Sequence, residues 1–83
     1  MEKILASVAE AFKKAQPLTY SESQEVRISM ELCDRSHMEL AMKKIYDKAG
    51  MVMPKELLET LGDDEFDVRM ACMKAIVGVM EGK

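Results

Sequence analysis

Tryptophan is absent from this chain, and phenylalanine, tyrosine, cysteine and proline each occur only twice. With so few rings, any core must be built from aliphatic side chains and from the nine methionines, which fill irregular gaps and adapt to varied neighbours. Two cysteines, Cys33 and Cys72, could close at most one bridge, so the disulfide framework of a small secreted fold is excluded. The four glycines stand singly, which removes the glycine-rich loops that cradle phosphates. No stretch approaches the about 20 continuous apolar residues of a membrane span. Between Met1 and Ala15 the apolar residues are interrupted by Glu2, Lys3, Glu10, Lys13 and Lys14, a pattern that predicts no secretory leader, a cytoplasmic setting and free thiols.

Blocks of one charge are also missing. Twelve Lys and Arg against fifteen Asp and Glu give a formal charge of -3, with the signs interspersed. Binding to nucleic acid through counterion release needs clustered basic residues, so this distribution argues against a direct DNA or RNA partner. The 48% hydrophobic and 33% charged residues are the composition of a folded domain. A chain of 83 residues is one domain, and below roughly 80 residues a core rarely supplies more than about 3 to 5 kcal/mol. Oligomerisation is therefore an expected source of further stability.

What is present is helical periodicity. Ile4, Leu5, Val8, Phe12 and Ala15 recur at helical spacing as far as Gln16, where Pro17 stops the helix. Thr19 and Glu22 form the Thr-x-x-Glu pattern of a capping box, which predicts a second helix. Residues 24–33 fit two descriptions. Val26, Ile28, Met30 and Leu32 alternate with Arg27, Ser29 and Glu31 as in a half-buried strand, which in this chain would pair only in an intermolecular ribbon. Helical spacing fits as well, with Val26, Met30, Cys33, His37 and Leu40 on one stripe, and a helix is the preferred reading because a lone strand lacks a partner.

Ser36 and Glu39 make a second capping box, followed by Met38, Ala41, Met42, Ile45 and Ala49 before Gly50 supplies a left-handed stop. Pro54 suits the first position of a short helix through Leu57, Leu58 and Leu61 that ends at Gly62. Asp63 and Asp64 are expected to cap the last helix, along which Phe66, Met70, Met73, Val77 and Met80 recur at spacings of a seam, with Ile76 widening it. The expected fold is all-α: one domain over residues 1–83 containing four or five short helices.

Tests for chemistry come out negative. His37, Cys33 and Cys72 supply three of the about four ligands that zinc takes. Met51 and Met53, or Met70, Cys72 and Met73, are soft enough for copper, yet Met70 and Met73 belong to the apolar stripe of the last helix. Asp63, Asp64, Glu65 and Asp67 lack the alternation of a calcium loop. No nucleophile stands in an identifiable triad, so the sequence predicts neither an enzyme nor a bound cofactor or metal. It predicts a protein that works by binding a protein partner or a second copy of itself, as regulator, inhibitor, adaptor or chaperone subunit. The contact surface expected is the Phe66, Met70, Met73, Val77, Met80 seam, or the Met38, Met42, Ile45 face. A ribbon-helix DNA-binding dimer is the alternative if residues 24–33 form a strand, although Glu25 and Glu31 would then face phosphates.

One segment carries a resemblance. Asp34, Glu39, Leu40, Met42, Lys44, Tyr46, Asp47 and Lys48, within residues 34–48, resemble part of the Hha and YmoA family of small helical modulators, with Ile45 in place of a leucine. Past Lys48 the chain departs from that family, continuing through Gly50 and Pro54 into a further amphipathic helix and lacking tryptophan. The resemblance implies that Asp34 corresponds to the family's helix aspartate, and that the activity is transcriptional modulation through an H-NS-type nucleoid-protein partner.

Overall fold

A computed structural model describes residues 2–82. It contains five helices, α1 (Glu2–Lys14), α2 (Tyr20–Leu32), α3 (Arg35–Ala49), α4 (Lys55–Leu61) and α5 (Phe66–Met80), with no strand among the described residues. Residues 24–32 thus lie in α2 with Cys33 as its C-cap, and the strand that an intermolecular ribbon would need is not found among the described residues.

Each boundary has a local cause. At the start of α2 the Thr19 hydroxyl accepts from the Glu22 amide at 3.1 Å, and the Glu22 carboxylate accepts from the Thr19 amide at 2.8 Å. That amide holds the Glu22 carboxyl below its ordinary range, with help from the Lys48 ammonium. α2 ends because Cys33 takes the left-handed conformation, φ 49°, where a side chain is usually disfavoured.

The break at Cys33 moves the next cap. Asp34, not Ser36, precedes α3, and its carboxylate accepts from the amides of Ser36 at 3.0 Å and His37 at 3.3 Å. Asp34 is one position earlier than the helix start and can bend back onto these orphan donors, whereas Ser36 already lies inside the first turn. Glu39 is drawn to Arg35 instead, at 3.0 Å. Two smaller corrections follow the same logic. Pro54 is the N-cap of α4, and Lys55 its first residue. Glu65 precedes α5 without a side-chain cap, while Asp63 accepts from the Glu65 amide at 2.9 Å and turns the chain into the helix.

The two longest helices, α3 and α5, are joined through the others: α1, α2 and α4 each pack against both. α3 turns Met38, Ala41, Met42, Ile45 and Tyr46 inward, and α5 turns Cys72, Met73, Ile76 and Val77 inward. These meet Val8 and Phe12 of α1, Val26 of α2, and Leu57 and Leu61 of α4 in one core. Burial of Tyr46 is compatible with its hydroxyl because Ser7 lies 2.8 Å away, within hydrogen-bond distance. No helix among the described residues is long and apolar enough to cross a membrane.

Candidate functional site

The seam expected on α5 is divided by the fold. Met73 is fully buried and Val77 is 7% exposed, both inside the chain's own core. Met70 and Met80 are half-buried, and Phe66 stands 55% exposed at the start of the helix. A partner could touch the ends of this stripe but not its centre. The second expected surface fares similarly, since Met38, Met42 and Ile45 are buried under α1, α2 and α4.

Apolar surface is left over elsewhere, around the outer face of α3. Ser36, Leu40, Lys43 and Asp47 recur along α3 at helical spacing and form one wall of a groove of about 750 Å³. Its floor and far side come from Met51, Val52 and Met53 and from Leu58 of α4. Gly50 creates this geometry: at φ 71° it ends α3, and the chain then runs non-helically to Pro54. Pro54 favours an extended Met53 before it. Along this connector Met51 and Met53 pack against the core while Val52 is 91% exposed.

Leu40 is 60% exposed and also borders a smaller groove of about 210 Å³ between α2 and α3, with Ile28, Ser29 and His37. An apolar band therefore runs from Ile28 across Leu40 to Val52 and Leu58. Sequence reasoning did not assign these residues to a surface. Helical spacing puts Leu40 on a stripe continuous with Val26 and Met30, which the left-handed break at Cys33 disconnects. One signal was readable: Leu40 lies two positions from both Met38 and Met42, hence on the opposite side of the helix that they bury.

The chemistry-bearing residues are separated or quenched. His37 is exposed, with Nδ1 2.6 Å from the Asp34 carboxylate. Their proximity arises because Asp34 is the N-cap of α3 and not a helical residue. This hydrogen bond, with the backbone amides, holds the Asp34 carboxyl below its usual range. Cys72 is buried, and burial pushes its thiol up, away from the reactive thiolate. No group of three or more His, Cys, Asp or Glu side chains among the described residues is placed to hold a metal ion.

Residues 34–48, which carry the resemblance to the Hha and YmoA family, are α3 and its cap. No family model, no curated protein and no solved structure matches the chain.

Proposed function

We propose that this chain is a non-enzymatic protein-interaction module of the cytoplasm, a regulator, inhibitor, adaptor or chaperone subunit, whose contact surface is the groove between α3 and α4. The observation that carries the reading is the exposure of Leu40 and Val52, 60% and 91%, beside a groove of about 750 Å³. Large apolar side chains in a contiguous patch are the usual mark of a contact surface. Met51 and Met53 line it with flexible thioethers that adapt to the shape of a docked apolar side chain.

A narrower form of the proposal is transcriptional modulation through a nucleoid-protein partner, favoured by one observation: the α3 segment resembling the Hha and YmoA family supplies the groove wall. Both forms are tested together by replacing Leu40 with Glu. The variant is expected to remain folded by circular dichroism and to lose the proteins that co-purify with the wild type from its native cell. Retention of those proteins by a folded Leu40→Glu variant would overturn the groove as the contact surface.

A further inference from the structure

Two charges on the groove wall stand out against their neighbours. Along α3, Glu39 is held by Arg35 at 3.0 Å, Lys44 by Glu25 at 3.0 Å and Lys48 by Glu22 at 2.9 Å. Lys43 and Asp47, both exposed, make no ion pair with any described residue. They lie one helical turn apart with the base N-terminal to the acid, the weaker orientation for a pair within one helix. Both share the stripe of Leu40.

A base and an acid one turn apart on an exposed stripe are complementary to a copy of themselves running the other way. We infer that the occupant of the groove is a second copy of this chain, docked by antiparallel contact of α3 with α3 about a twofold axis, so that Lys43 of each copy meets Asp47 of the other. This deepens the proposed function and rests on its reading of the groove as a contact surface. A twofold contact repeats every pairing, so one base and one acid produce two interchain pairs.

The same register has an apolar consequence. It carries Leu40 to the level of Gly50 in the second copy, beside Met51 and Val52, and the space there is open: a Cβ on Gly50 would meet nothing within 4 Å. Leu40 thereby covers the Val52 end of the facing groove, and the reverse holds at the other end. The alternative register, with Ser36 opposite Asp47, sets Leu40 against the Lys43 ammonium and pairs no opposite charges. Charge thus favours the first of these registers over the second. Size agrees as well. A stable pair covers about 800 Å² per copy, comparable to one face of a bundle measuring 32 × 24 × 22 Å.

The test is sedimentation equilibrium on the full chain at low salt, with circular dichroism as the control for folding. The wild type should be a dimer. Lys43→Asp and Asp47→Lys should each fold and each raise the dimer dissociation constant by roughly tenfold or more, since each turns both interchain pairs into repulsions. Mixing the two variants should restore a dimer containing one of each, because acid on one copy then faces base on the other at both ends. A monomeric wild type, single variants that associate like the wild type, or a mixture that does not recover would each overturn the second-copy assignment. If the wild type is monomeric while Leu40→Glu still loses its co-purifying proteins, the assignment falls and the proposed function stands. Retention of those proteins by Leu40→Glu removes the proposed function, whatever the charge variants do.

Discussion

The α5 stripe and the α3–α4 groove are both apolar, yet they are put to opposite uses. On α5 the regular recurrence of Phe66, Met70, Met73, Val77 and Met80 marks a helix that fits between α1, α2 and α4, and the most regular part of the pattern is the most buried. Around the groove the apolar residues follow no single period: Leu40 sits on a helix, Val52 in a non-helical connector and Leu58 on another helix. Regular spacing shows which face an element offers to its neighbours. Apolar residues outside that spacing are the ones the neighbours leave uncovered.

The largest effect that sharpens this contrast is at Met73. A carboxylate there would be buried without a partner, at a cost on the order of 4–5 kcal/mol, which equals or exceeds what so small a core supplies. Met73→Glu should therefore unfold the chain, read as loss of the helical circular dichroism signal. Preservation of a folded protein would mean that the centre of the stripe is accessible after all.

Adjacent leucines on α4 offer a finer comparison. Leu57 is fully buried and Leu58 is 37% exposed at the groove. Leu57→Ala should cost about 3 kcal/mol in urea denaturation, and Leu58→Ala under about 1 kcal/mol. Equal losses would erase the distinction between core and groove on this helix.

A smaller effect is expected where the groove begins. At Gly50, with φ 71° and open space around it, an alanine meets no steric neighbour and carries only the backbone penalty. Gly50→Ala should lower stability by about 1 kcal/mol. A neutral or stabilising result would show that the turn out of α3 does not need a left-handed residue.

The α2 cap gives a signal of similar size that is also specific in pH. Thr19→Ala should cost about 1 kcal/mol. Because the folded Glu22 carboxyl titrates below its ordinary value of 4.5, its contribution is complete above that pH and is lost as the pH falls through the lower folded value. Glu22→Gln should flatten the acid limb of the stability profile in that window. An unchanged acid limb would contradict the capping-box account.

Much of the fold was readable before any coordinates. Period and punctuation marked the helical segments, with Pro17 and Gly50 as stops and Thr19 with Glu22 as a start, but left the number at four or five. What escaped was the break at Cys33, since a cysteine carries none of the left-handed preference that makes a glycine legible. Missing that break displaced the cap from Asp34 to Ser36 and hid the Asp34–His37 contact. The groove was less legible still. Whether Met73 or Leu40 is covered depends on where the other helices lie, and helical spacing within one segment holds no information about that.

The most direct test of the central claim sets one exposed residue from each region against the other. Val52 and Phe66 are 91% and 55% exposed, so a glutamate at either site should leave folding intact. Association of the two variants, with a second copy in sedimentation and with the native co-purifying proteins, then asks only which surface makes contact. The account requires Val52→Glu to lose association and Phe66→Glu to keep it. Loss through Phe66→Glu with Val52→Glu unaffected would return the contact surface to the α5 stripe and contradict the account.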